Sequence, residues 1–153
     1  MEGKNKTYLR RAKEEDVDLI FKWANDTQVR ANAFNSEPIS YTNHLKWYDS
    51  SMKSESRIIY ILFKEDIPLG QIRVDLDDGL GLIDYSIDAN HRGVGYGTLI
   101  IGLLMNKIKE EHKDIKELKA QVKYENLGSQ KCFEKNNYSK ETLEEYVEYT
   151  LFL

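Results

Sequence analysis

Apolar residues recur along this chain with two different periods, and the switches between them divide it into elements. Val17, Ile20, Phe21 and Ala24 are spaced as one face of a helix, which predicts an amphipathic helix over roughly 15–25. A short strand, 8–11, precedes it. Ser40 is a plausible N-cap for a second helix, with Tyr41, Leu45 and Tyr48 along its buried face. Residues 57–63 are apolar and rich in Ile and read as a strand; Asp66-Ile67-Pro68 turns the chain. From 69 to 75, Leu69, Gln71, Arg73 and Asp75 alternate with Gly70, Ile72 and Val74, the period of a second strand in a hairpin. Asp77-Asp78-Gly79 is a turn signal, and 80–87 is the third strand of the meander. Ile100, Leu103, Leu104 and Ile108 predict a long amphipathic helix ending near Lys113. A strand over 118–124, a short helix over 129–135 and an alternating closing strand over 146–153 follow. Between the last two the pattern is too weak to place an element. Both prolines, Pro38 and Pro68, fall in segments read as loops.

An antiparallel meander followed by one βαβ crossover makes the class α+β, a mixed central sheet flanked by helices. With 153 residues and no linker, repeat or low-complexity segment, a single domain over 1–153 is expected. Hydrophobic residues make up 41% and charged residues 31%, the composition of an ordinary soluble globule. The net charge of -4 argues against a nucleic-acid partner, which asks for a basic face. The single cysteine, Cys132, excludes an internal disulfide framework, and no Cys/His cluster calls for a metal. The stretch from Met1 to Thr7 is polar and unlike a secretory signal, and the apolar run 99–105 is too short to span a bilayer. The expectation is a cytoplasmic protein without a membrane partner, monomeric or homodimeric.

Candidate chemistry centres on Arg92-Gly93-Val94-Gly95-Tyr96-Gly97-Thr98, between a strand and an amphipathic helix. A helix start leaves about four amides unpaired and carries positive partial charge, so small residues there let a diphosphate approach. A P-loop would need Gly-Lys-Ser/Thr, and here Thr98 follows Gly97 with no lysine. A dinucleotide fingerprint would need a third Gly or Ala where Thr98 stands, near the first strand of a doubly wound sheet. Arg-x-x-Gly-x-Gly remains.

On that motif, on the order of elements, and on Asn126-x-x-Ser129-x-x-x-Phe133-x-x-x-Asn137-Tyr138, residues 8–138 resemble a GNAT acetyltransferase domain. The resemblance implies acetyl-CoA as co-substrate. It also implies that Arg92, Gly93, Val94, Gly95, Tyr96, Gly97 and Thr98 hold the diphosphate, with Asn126 and Ser129 helping to hold the pantetheine arm and the diphosphate. In such domains the strand before the loop splays from its neighbour and a free amide polarises the thioester carbonyl, which here points to Ile87 or Asp88. Such a donor is worth ~3 kcal/mol of barrier. Two positions depart from the pattern. Asn137 replaces a glycine, tolerable because Asn adopts left-handed geometry readily. Phe133 stands where a tyrosine general acid is usual and has no proton to give; either another hydroxyl reaches the sulfur or the thiolate, with a thiol pKa of about 8.5, leaves unassisted. Cys132 reads as a small buried thiol rather than a nucleophile. Asp84 is the candidate base, an acidic residue inside a largely apolar strand that lines the cleft.

The acceptor signal lies in the N-terminal third. Trp23-x-Asn25 followed by Val29-Arg30, Phe34, and His44-x-x-Trp47, together with Gln71-Ile72-Arg73, resembles the acetyltransferases of nucleotide-linked amino sugars, including those of the pseudaminic-acid pathway. Trp23, Phe34 and Trp47 offer faces for a base; Arg30, His44 and Arg73 offer charge for phosphates; Asn25 completes the set. Arg30 is read as lying in a loop with few local partners. Two other functions fit the same domain: acetylation of protein N-termini or small amines, and a non-catalytic acyl-CoA-binding module.

Overall fold

A computed structural model describes residues 6–153, so the polar start read at Met1 to Thr7 lies largely outside the described residues. The chain opens with β1 (Thr7–Arg11), then α1 (Val17–Ala24), α2 (Thr27–Asn32) and α3 (Tyr41–Lys53). The meander β2 (Arg57–Lys64), β3 (Ile67–Asp77) and β4 (Leu80–Ile87) follows. Then come α4 (Tyr96–Glu111), β5 (Glu117–Val122), α5 (Leu127–Lys135), β6 (Ser139–Thr142) and β7 (Val147–Phe152). The sheet order is β1-β2-β3-β4-β5-β7-β6, with β4–β5 its parallel pair and α4 the crossover between them. This is the α+β fold expected: a mixed seven-stranded sheet flanked by helices.

The Ile-rich run of β2 is explained by cover on both faces. Ile58, Tyr60 and Leu62 pack with Ile100, Ile101, Leu104 and Ile108 of α4. Ile59 and Ile61 pack with Ile20 and Trp23 of α1 and Tyr48 of α3. The β3–β4 turn is as tight as its sequence asks, with φ of 46° at Asp78 and 82° at Gly79.

Several expectations change. The first helix begins as a 3-10 turn over Glu14–Asp16. On α3, Ser40 caps as expected, its hydroxyl accepting from Asn43 N–H at 3.1 Å. The buried face is the one through His44, Tyr48 and Ser51, however, while Tyr41 and Leu45 are 44% and 40% exposed. His44 turns inward because its Nε2 meets the Val17 carbonyl at 2.9 Å and its ring stacks on Tyr48. Ile67 and Pro68 belong to β3, and the turn is at Glu65-Asp66. Pro68 is tolerated at the second residue of the strand, beside a register shift at Leu62/Phe63. β6 fills part of the segment left unplaced.

Candidate active site

The parallel ladder between β4 and β5 stops at Leu82↔Lys119. Beyond it, residues 83–87 of β4 have no partner on β5, and residues 120–122 of β5 pair only with β7. The two strands therefore part like a V, and a cavity of about 850 Å³ opens where they separate, lined by Ile83 to Ile87 on one side and Ala120 to Val122 on the other. Asp88 N–H donates to the Leu69 carbonyl at 2.8 Å. Antiparallel bonding alternates along a strand, so the amides of Tyr85 and Ile87 point away from β3 into the split. Of the two carbonyl-polarising positions expected, Asp88 is corrected, because its amide is already bonded to β3. The Asp88 amide is engaged, and its carboxylate accepts from Trp23 Nε1 at 2.8 Å, Asn90 N–H at 3.0 Å and the His91 ring at 3.0 Å. Burial pushes that carboxyl up, but those donors outweigh it and hold it below the ordinary carboxylate range.

The glycine loop closes one end of the cavity. Gly93 and Gly95 have φ of 78° and 97°, a region side chains rarely enter. The first backbone bond of α4 runs from Leu99 N–H to the Gly95 carbonyl at 3.1 Å, so the amides ahead of it are left for a ligand. Gly97 is required for closeness instead: a Cβ there would meet Cys132 Sγ at 2.9 Å. Arg92, expected among the residues that hold the diphosphate, is instead engaged by the protein itself. Its Nε donates to the Ile87 carbonyl, its Nη1 to Gln28 and its Nη2 to Asp26 at 3.0 Å, tying the loop to the start of α2. Val94 is 69% exposed and does not line the cavity; Tyr96 and Thr98 do.

Across the split, Asn126 caps α5 by accepting from Ser129 N–H at 3.2 Å. Asn137 has the left-handed φ of 67° that its place in the motif called for. Phe133 is 1% exposed, stacked on Tyr149 with centroids 5.5 Å apart. Tyr85, a residue the sequence reading passed over, donates to Ser129 Oγ at 3.0 Å, and its ring meets Phe133 edge-on. Alternation with Ile83 and Ile87 on an apolar strand was the available signal. Unpaired amides at a glycine-lined helix start, a strand split with inward amides and a deep cavity joining them together fit an acyl-CoA.

Residues 6–139 match the family model described as Acetyltransferase (GNAT) domain. The chain belongs to the GNAT family. This acetyltransferase superposes on the aminoglycoside acetyltransferase AAC(6')-Ib in complex with coenzyme A, at 18% identity over 96% of this chain and 95% of that one, with a TM-score of 0.82. It is similar in fold to spermidine N-acetyltransferase from Vibrio cholerae in complex with CoA and spermine, at 12% identity over 95% of each chain and a TM-score of 0.84. RimL, a ribosomal alpha-N-protein acetyltransferase, gives 14% identity over 96% and 94% of the two chains and a TM-score of 0.82. A search of curated protein sequences returned no match. Among the described residues, no helix is long and apolar enough to cross a membrane and no cluster of His, Cys, Asp or Glu is arranged to hold a metal.

On the acceptor side, the acetyltransferase brings Arg30, His44, Trp47, Arg73 and Asp84 to the cavity wall, but not Trp23, Asn25 or Phe34. Trp23 is 3% exposed and holds Asp88 from the core. Asn25 forms a two-bond clasp with Ile39, donating to its carbonyl at 2.8 Å and accepting from its amide at 2.9 Å. Phe34 turns outward onto Tyr146, centroids 5.6 Å apart. Arg30 lies in α2 and is well partnered, donating to the carbonyls of Ala24 at 2.8 Å, Asn35 at 3.1 Å and Glu37 at 3.3 Å. Asn25 and Arg30 thus brace the segment between α2 and α3 that walls the cavity. Arg73 sits 5.4 Å from the Trp47 ring and 3.9 Å from Asp84, its register partner across the β3–β4 ladder. The Asp84 side chain is 60% exposed.

Proposed function

We propose that this enzyme transfers acetyl from acetyl-CoA to the amino group of a nucleotide-linked amino sugar in the cytoplasm. Acetyl-CoA supplies a thioester. The amides of Tyr85 and Ile87 are aimed at its carbonyl oxygen, and Asp84 takes a proton from the amine as nitrogen bonds to carbon. Arg73 positions the Asp84 carboxylate from the neighbouring strand.

The observation that carries the choice of acceptor is the charge of the cavity wall. In a chain of net charge -4, the wall holds Arg73, Lys131 and Lys135, besides Arg30 and Arg92 that brace neighbouring segments, against two carboxylates, Glu37 and Asp84. A polycationic amine asks for several free carboxylates, and one of these two already faces Arg73. The acceptor half is instead lined by neutral amides, Gln28, Asn32, Asn43 and Gln71, beside the Trp47 ring, which suits sugar hydroxyls and a flat base. Two contacts also bridge the acceptor side at one edge. Lys123 Nζ donates to the Ala31 carbonyl at 3.1 Å and Phe34 touches Tyr146, both crossing the split, which disfavours an extended peptide. The test is thiol release from acetyl-CoA with amino-nucleotide sugars, N-terminal peptides, aminoglycosides and polyamines offered in parallel. Turnover confined to the nucleotide sugars supports the reading; a peptide or polyamine turned over best refutes it.

A further inference from the structure

Position 133 carries no hydroxyl, and the tyrosines packed on Phe133 differ sharply in what they present. Tyr149 is fully buried and donates to Glu134 at 2.5 Å. Tyr138 is buried and does not line the cavity. Tyr85 does line it, with its ring centroid 5.8 Å from that of Phe133 and its hydroxyl 3.0 Å from Ser129 Oγ. A Cβ on Gly97 would lie 3.6 Å from that hydroxyl. The group is therefore held inside the split, between β4, the start of α4 and α5.

We propose that Tyr85 supplies the hydroxyl for the leaving sulfur that Phe133 cannot. It rests on the split being the seat of the acyl donor. In the transfer the amine nitrogen bonds to the carbonyl carbon, the C–S bond breaks with its electron pair left on sulfur, and the amine proton passes to Asp84. Tyr85 swings its hydrogen bond from Ser129 to the sulfur as charge gathers there. It donates that bond without surrendering its proton. Burial, with the Cys132 thiol beside it, holds the phenol above its ordinary 10, whereas a thiol ionises near 8.5. The thiolate leaves as the anion and is protonated by solvent. Tyr85 is in this account a stabiliser of the leaving group, not an acid.

The test is the ionisation of the thiol of bound CoA, followed by thiolate ultraviolet absorbance across pH in saturated complexes. In the wild-type complex the thiol ionisation constant should exceed that of free CoA roughly ten- to hundredfold, the effect of one charge-assisted hydrogen bond. Tyr85→Phe should abolish that gain and lower kcat by a similar factor, with CoA affinity at low pH, where the thiol is neutral, nearly unchanged. Adding Phe133→Tyr to Tyr85→Phe should restore part of the gain by returning a hydroxyl from the other wall. CoA bound normally with the same thiol ionisation in wild type and Tyr85→Phe would overturn the proposal while leaving the donor seat intact. Failure of the wild type to bind CoA would overturn the seat and the proposal with it. Tighter CoA binding and undiminished kcat in Tyr85→Phe would mark the Tyr85–Ser129 bond as a latch and overturn the proposal too.

Discussion

Trp23 and Asp88 stand 65 residues apart and are joined by a buried hydrogen bond, indole Nε1 to carboxylate Oδ1 at 2.8 Å. The bond ties α1 to the point where β4 gives way to the glycine loop, so acceptor wall and donor loop share one joint.

Trp23→Phe keeps most of the packing and removes the donor, leaving a buried carboxylate short of a partner. The expected cost is about 1–3 kcal/mol, measured by urea unfolding. The pH dependence has a definite sign. The native Asp88 carboxyl is held below the ordinary range, so its contribution is present above the unfolded value of about 3.9 and is lost as pH falls through the native one. Trp23→Phe should therefore lose its stability deficit in strong acid and show it fully at neutral pH.

Gly97→Ala should be decided by one atom. In a helix, alanine is favoured over glycine by about 1 kcal/mol, but here the new methyl meets Cys132 Sγ at 2.9 Å. The single variant should lose stability and CoA affinity, and Cys132→Ala should relieve both. A double variant as impaired as Gly97→Ala would show that the close contact is not the cause.

Arg30→Ala and Asn25→Ala should loosen the segment between α2 and α3. Their kcat/KM should fall by similar factors on an amino sugar with its nucleotide and on the same sugar without it, because both residues are tied to backbone rather than aimed at phosphate. A loss confined to the nucleotide-bearing acceptor, measured by steady-state kinetics, would return Arg30 to phosphate binding.

These two residues also mark what was legible in the sequence. The meander, α4 and the glycine loop announce themselves through apolar period and helix-start chemistry, and the structure follows them. Helix α2 has six residues and no buried side chain, so it has no period to read. Strand β6 is four exposed residues at a sheet edge. Charge was visible at Arg30 and Arg92, but partners were not. The Asp26 that engages Arg92 is 66 residues away in the chain, and carbonyls that hold Arg30 are anonymous in sequence. Cations read as ligand contacts were therefore braces in both cases.

Asp84→Asn should lower kcat roughly hundredfold or more, the usual worth of a general base, with acetyl-CoA affinity unchanged. The deficit should shrink as pH rises and the amine loses its proton to solvent without help. A pH–rate profile parallel to that of the wild type would remove Asp84 from proton transfer and leave it as the partner of Arg73.

The acceptor itself is tested most directly by the ratio of kcat/KM for an amino sugar carried on a nucleoside diphosphate to that for the same sugar free. A charge-assisted contact and a stacked base together predict a ratio of about a hundred or more in favour of the nucleotide. A ratio near one, or a peptide or polyamine acetylated better than either sugar, would contradict the account.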